Sequence, residues 1–181
     1  MISKIGVVGA GQMGNGIAQV AAGVGFSVVM TDVSSAQLER GMQTIAASCD
    51  RLIKKEKMTD VEKKALLGRI QTGTSFDALK DCELVIEAAT ENIDLKLKIF
   101  SELDRVVNSQ ALLCSNTSSI SITKIAGVTK RPEKVAGMHF MNPVPLMTLV
   151  EGIRGLQTAD ETFKAVATVA EKMGKVFIEG R

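Results

Sequence analysis

The chain has 181 residues, 45% hydrophobic and 23% charged, a length that suits one domain and a composition that excludes disorder. Its net charge of +2 and 3% aromatics exclude a nucleic-acid or anionic-membrane partner on electrostatic grounds. Cys49, Cys82 and Cys114 form no CxxC and leave an odd thiol, and the single His lies far from them in sequence. A reduced compartment and no metal site follow.

Lys4–Val8 is a short apolar run ending at Gly9 and reads as a buried strand. Met13, Ile17, Val20 and Val24 then fall at helical spacing, with Gly25 as the stop signal. Phe26–Met30 is a second apolar run, ending at Asp32. No charge lies between Lys4 and Asp32, but the stretch holds seven glycines and changes period twice. That predicts a βαβ unit and excludes a membrane span or signal peptide.

Ser34 and Gln37 form a candidate capping box. Leu38, Met42, Ile45, Cys49 and Leu52 mark the inner face of the long helix behind it, whose far end is basic (Lys54, Lys55, Lys57). Residues 60–67 read as a short helical continuation, and Ile70–Thr72 as a weak strand. Leu84–Ala89 is a buried strand, followed by a helix with Leu95, Ile99, Leu103 and Val106 inward. Ala111–Cys114 and Lys134–Phe140 are further strands. Asn142-Pro143-Val144-Pro145 is a rigid turn, and Leu146–Val150 is extended. Thr158 and Glu161 suggest a second capping box, for a helix with Phe163, Val166, Ala170 and Met173 inward. Lys175–Ile178 is a last short strand. Strands alternating with helices predict an α/β fold: a doubly wound, mostly parallel sheet of the Rossmann kind, covered on both faces.

Gly9-Ala10-Gly11-Gln12-Met13-Gly14 is a GxGxxG. Its context gives it weight: a strand precedes it, a helix follows, and Asp32 ends the next strand. Gly9 permits the tight turn, Gly11 lets backbone approach a pyrophosphate, and Gly14 lets helix and sheet pack closely. The helix N-terminus faces the phosphate charge. Asp32 accepts from ribose hydroxyls and repels a 2′-phosphate, which selects NAD over NADP. The bland alternative is a Gly-rich turn with an exposed Asp.

His139 ends a predicted strand, where open α/β sheets place their ligands. Glu151, twelve residues on, ends the next extended run. A carboxylate beside an imidazole fixes its tautomer and stabilises the imidazolium, as a dehydrogenase needs for moving a hydroxyl proton. A structural histidine is the alternative. Asn116-Thr117-Ser118-Ser119 follows a buried strand and offers either substrate-holding hydroxyls or a polar helix cap. Thr90-Glu91-Asn92 has the same ambiguity. Lys96 reaches back to a cofactor or is a solvated helix lysine.

GAGQMG, Asp32, VIEAATEN (85–92), SNTSS (115–119), HFMNPVP (139–145) and LVE (149–151) together resemble the 3-hydroxyacyl-CoA dehydrogenase family, in its bacterial 3-hydroxybutyryl-CoA branch. The resemblance runs through nearly the whole chain. It implies an NAD-dependent oxidoreductase interconverting 3-hydroxyacyl-CoA and 3-oxoacyl-CoA, with His139 and Glu151 as the catalytic dyad. Ser118 and Asn142 would hold the reacting end of the substrate and the dyad. Gly9, Gly11, Gln12, Met13, Gly14, Asp32, Ala89, Glu91, Lys96, Asn116, Ser118 and Asn142 would contact NAD, with Glu91 and Lys96 on the nicotinamide side. Ser48, Lys54 and Lys55 would receive the CoA part, or mark a solvated basic helix end. The resemblance also implies a cytoplasmic enzyme. Its chain would continue into an all-helical second domain that carries the dimer contact. In this reading residues 1–181 are the NAD-binding and catalytic domain. Alternatives are a fragment that binds NAD without turnover, a related dehydrogenase acting on a sugar acid, and a structural role for the same fold.

Overall fold

The computed structural model describes residues 1–180. The first strand, β1 (Lys4–Val8), runs through Gly9 into helix α1 (Gln12–Gly23) and returns as β2 (Ser27–Thr31). This is the expected βαβ unit, and β1 and β2 are parallel. Gly25 stops the helix at φ +107°, a conformation that a Cβ disfavours. Helix α2 (Ser35–Lys54) is N-capped by Ser34, which accepts from Gln37 N. Gln37 does not complete the box: its Oε1 accepts from Arg40.

Residues 60–67 are not a continuation of α2. Glu56 stands at φ +60°, and a separate helix α3 (Asp60–Gly68) opens with a full Thr59–Glu62 capping box. The weak strand is present as β3 (Ile70–Gly73), followed by a 3₁₀ turn at Phe76–Leu79, β4 (Leu84–Glu87), α4 (Ile93–Val106) and β5 (Leu112–Ser115). Helix α5 (Ile122–Ala126) was not expected; five residues are too few to show a helical period. Strand β6 (Val135–Phe140) precedes β7 (Leu149–Arg154), α6 (Asp160–Lys172) and β8 (Val176–Glu179). The extended run therefore starts three residues later than Leu146, and Glu151 lies inside β7 rather than at its end. Thr158 does not cap α6. Ala159 is the N-cap, without a side-chain bond, while Thr158 Oγ1 donates to Val135 O and accepts from Gly155 N.

One eight-stranded sheet has the order β3-β2-β1-β4-β5-β6-β7-β8. All neighbours are parallel except β6 and β7. The order reverses between β1 and β4, which is where open α/β sheets form a ligand crevice. Alternation along the strands divides the core in two. Ile5, Val7, Val28, Met30, Ile86, Met138 and Phe140 pack under α1, α2, α3 and α6. Val8, Val29, Val85, Leu113 and Val135 pack under α4 and α5. Arg131 closes the C-terminal end of α4, donating to the carbonyls of Asp104, Val107, Asn108 and Ala111 and to Asp104 Oδ1. Of these, the Asp104 and Val107 carbonyls belong to the helix end and have no partner within the helix. Among the described residues, no helix is long and apolar enough to cross a membrane.

Candidate active site

At the switch point the ends of β1, β2 and β4 meet in a cleft of about 380 Å³, lined by Gly9, Asp32, Ala89, Val33, Phe76, Leu95, Lys98, Ile99 and Glu102 among others. The structure thus brings Gly9, Asp32 and Ala89 together, though they are far apart in the chain. Gly9 turns at φ +103°, and its N–H donates to Thr31 O. A Cβ on Gly14 would stand 1.8 Å from Gly9 O, so only glycine lets α1 start this close to the turn. Asn15 Nδ2 braces the loop from within α1 by donating to Gly11 O at 2.7 Å. The N-cap, Gly11, supplies no side-chain bond, which leaves first-turn N–H groups for an anionic ligand. Asp32 accepts from Ala10 N and Ser34 N at 3.0 Å each, so its carboxylate is fixed at the rim. A glycine loop with no room for a Cβ at Gly9 or Gly14, free helix N–H groups and an anchored carboxylate are the donor and acceptor set a dinucleotide requires.

Leu95 is exposed and does not face the core as its spacing suggested, while Ile99 is half-buried and packs against the core beside Phe100 and Leu103. Both line this cleft, and the buried face of α4 is Lys96, Phe100 and Leu103. Lys96 is therefore not a solvated lysine. It is 1% exposed, and its Nζ donates to Glu87 Oε1 at 2.5 Å and Ser115 Oγ at 3.3 Å. Glu87, fully buried, also accepts from Ala89 N, Thr90 N and Ser115 Oγ. One carboxylate thus ties the ends of β4 and β5 to the start of α4. The sequence reading missed Glu87.

Glu91 is exposed, and its Oε2 accepts from Thr117 Oγ1 and Ser119 Oγ. Asn92 is a cap: it starts α4 by accepting from Leu95 N. In the Asn116–Ser119 segment Thr117 Oγ1 accepts from Ser119 N and Ile120 N. Asn116 Oδ1 accepts from Phe140 N at 2.8 Å, fixing the end of β6 beside the end of β5. Ser118 is exposed.

His139 is half-buried on β6, and Glu151 on β7 is its direct antiparallel partner. Their side chains therefore share one face, with Cβ atoms about 4.5–5.5 Å apart. It is the face of Gly137, against which Ile122 of α5 packs. Among the described residues no ion pair joins the two side chains. Glu151 leans toward β8: a Cβ on Gly180 would lie 2.8 Å from its Oε2. His139 and Glu151 line neither this cleft nor the next.

A second cleft, of about 220 Å³, lies between α1, α2 and the loop after β6. Ser48 and Lys55 line it together with Gln12, Gln19, Thr44, Arg51 and Asn142. Lys54 does not line it. Ser48 Oγ accepts from Gln19 Nε2 at 2.9 Å, so it is held toward α1. Thr44, Ser48, Arg51 and Lys55 follow one helical stripe, a spacing that could have revealed Thr44 and Arg51. Met13 is half-buried and packs against the core. The Asn142–Pro143 peptide is cis.

The three cysteines are buried and free. Burial pushes the Cys82 thiol up to about 11 and the Cys114 thiol up to about 12. Among the described residues no cluster of His, Cys, Asp and Glu is arranged to hold a metal ion.

Residues 4–180 match the family described as 3-hydroxyacyl-CoA dehydrogenase, NAD binding domain. A 3-hydroxybutyryl-CoA dehydrogenase of Bradyrhizobium diazoefficiens is 52% identical over 97% of this chain and 60% of its own length. The fatty acid oxidation complex subunit alpha of Acinetobacter baylyi is 41% identical over 96% of this chain and 24% of its own. Among solved structures, the (S)-3-hydroxybutyryl-CoA dehydrogenase of Ralstonia eutropha superposes with a TM-score of 0.97 at 55% identity, covering 99% of this chain and 63% of that one. The chain spans about 60% of the length of the 3-hydroxybutyryl-CoA dehydrogenase relatives it matches.

Proposed function

Since this chain belongs to the family of 3-hydroxyacyl-CoA dehydrogenase NAD-binding domains, we propose that it is the NAD-binding and catalytic domain of an enzyme interconverting short-chain 3-hydroxyacyl-CoA and 3-oxoacyl-CoA. The observation that carries this reading is the placement of His139 opposite Glu151, on a strand that Asn116 bonds to the end of β5.

NAD, when bound, supplies the hydride acceptor in oxidation and the donor in reduction. The glycine loop, the α1 N-terminus and Asp32 would hold its adenosine and pyrophosphate end. Ala89, Glu91, Asn116, Ser118 and Asn142 would bound the nicotinamide end. Lys96 acts from behind in this reading, through Glu87, which fixes the Ala89–Thr90 turn.

In oxidation, His139 removes the proton of the 3-hydroxyl through an imidazole nitrogen as C3 loses hydride and the C–O bond becomes a carbonyl. In reduction the imidazolium returns that proton to the carbonyl oxygen. Glu151, turning from β8 toward β6, stabilises the imidazolium that forms. Ser118 and Asn142 orient the reacting oxygen. The second cleft takes the CoA part, with Ser48, Arg51 and Lys55 as its polar wall and Lys54 beside its mouth.

Steady-state reduction of acetoacetyl-CoA by NADH, compared between the protein and His139→Ala, tests this reading. Turnover that falls by roughly 10²–10⁴-fold in the variant while NADH binding persists is expected. Equal turnover in both would remove His139 from the chemistry.

A further inference from the structure

A lysine that no other part of the site explains stands behind the second cleft. Lys175 is 9% exposed. Its Nζ donates to Val144 O and Met147 O at 2.6 Å each. Among the described residues no ion pair compensates it, and burial holds its ammonium below the ordinary lysine range. An unpaired buried cation is costly, and an apolar side chain of the same length would avoid that cost. What the ammonium provides is a charged donor to two carbonyls, a stronger bond than a neutral donor makes.

Both carbonyls belong to the loop that follows β6. Asn142, Pro143, Val144, Pro145 and Leu146 of that loop form one wall of the second cleft. Lys175 bonds the loop from the side of the α6–β8 corner, where its own N–H donates to Ala170 O. The neighbouring amide, Val176 N, donates to Thr148 O at 2.7 Å. On the other side the loop presses on α1: a Cβ at Gly16 would stand 2.9 Å from Val144 Cβ. The loop therefore has a fixed seat between α1 and the α6–β8 corner, and its position sets the width of the cleft.

We propose that Lys175 is a positioning residue for the acyl-CoA substrate: by holding Val144 and Met147 it keeps the Val144–Leu146 part of the wall where it can meet the CoA part. This rests on the function proposed above for the second cleft. It predicts a selective defect. Loosening the wall weakens what the cleft holds, the pantetheine and nucleotide of CoA, and leaves the dinucleotide cleft across the β1 end unchanged.

The test is Lys175→Met, which keeps the stem and removes the donors. KM is compared for acetoacetyl-CoA and for its truncated N-acetylcysteamine thioester, NADH affinity is read by fluorescence, and hydrogen exchange is followed at Leu146 and Met147. In the protein those two amides both donate to Pro143 O.

Expected is a rise of about tenfold in KM for the CoA thioester, the equivalent of roughly one charged hydrogen bond. The truncated substrate and NADH affinity stay unchanged, and exchange at the two amides speeds up. Equal losses on both substrates, or unaltered exchange, would overturn the proposal. Should the protein itself fail to reduce acetoacetyl-CoA, the functional reading falls, and hydrogen exchange alone decides whether Lys175 holds the loop. If Lys175→Met does not fold, Lys175→Gln, with an amide donor on a shorter stem, should show the same selectivity at smaller size. A Gln variant identical to the protein would count against the clamp.

Discussion

His139 and Glu151 are cross-strand partners in the antiparallel pair β6–β7, and the antiparallel turn is what makes them so. Every other pairing in the sheet is parallel. A parallel connection would have taken β7 away across a helix. The hairpin-like return through the Asn142–Thr148 loop instead sets an imidazole and a carboxylate on one face near the carboxyl end of β6.

If the two act as a unit, their losses will not add. His139→Ala is expected to lower turnover by roughly 10²–10⁴-fold, the usual worth of a positioned acid–base group. Glu151→Gln should lower it by less, and the double variant should be no worse than His139→Ala alone. Multiplying losses in steady-state kinetics would show that the two residues work independently.

Asp32 is expected to govern cofactor choice. Removing its carboxylate in Asp32→Ala deletes a charged acceptor at the rim, and NADH affinity should fall roughly 10–100-fold, as ~1.5–3 kcal/mol per charged hydrogen bond implies. NADPH affinity should fall less or rise, since the repulsion of a 2′-phosphate goes with the charge. Fluorescence titrations of both cofactors measure the ratio; an unchanged preference would mean that another group selects.

The Glu87–Lys96 pair should dominate local stability. Lys96→Met leaves a buried carboxylate without its cation, which costs about 3–5 kcal/mol. Glu87→Gln combined with Lys96→Met removes both charges and should cost less than the sum of the single changes. Chemical denaturation of the three variants gives the coupling; additive losses would mean that the pair contributes nothing as a pair.

The thiols predict an alkaline limit. Cys82 and Cys114, raised by burial from an ordinary 9.0 to about 11 and about 12, keep their protons in the folded state where the unfolded chain has lost them. Their contribution is complete below about pH 9 and declines as pH rises from there through 11–12. Iodoacetamide at pH 8.5 should label none of the three cysteines until the protein unfolds. Labelling of the native protein would contradict their burial.

Much of this was legible in the residues because it is local. The glycine spacing, the apolar runs and the position of Asp32 specify a βαβ unit without tertiary knowledge. What was misjudged depends on partners distant in sequence. Lys96 falls in register with Phe100 and Leu103, a buried stripe that a charged residue disguised. Its partner Glu87 is nine residues back on another element. Leu95 is apolar because it walls a cleft, and periodicity does not separate a ligand face from a core face. Thr158 has a capping residue's identity but bonds β6 instead. Lys175 was read only as the start of a strand, because two backbone carbonyls from a loop 28 and 31 residues earlier leave no mark in the sequence.

The most direct test uses the absence of Trp and Tyr, which leaves NADH fluorescence almost free of protein background. NADH is mixed with the protein, and acetoacetyl-CoA is then added. Fluorescence that rises on mixing and decays after the thioester is added is the expected result, with decay slowed by roughly 10²–10⁴-fold in His139→Ala. A rise with no decay would contradict the dehydrogenase reading for this chain, and no rise at all would contradict the cofactor site itself.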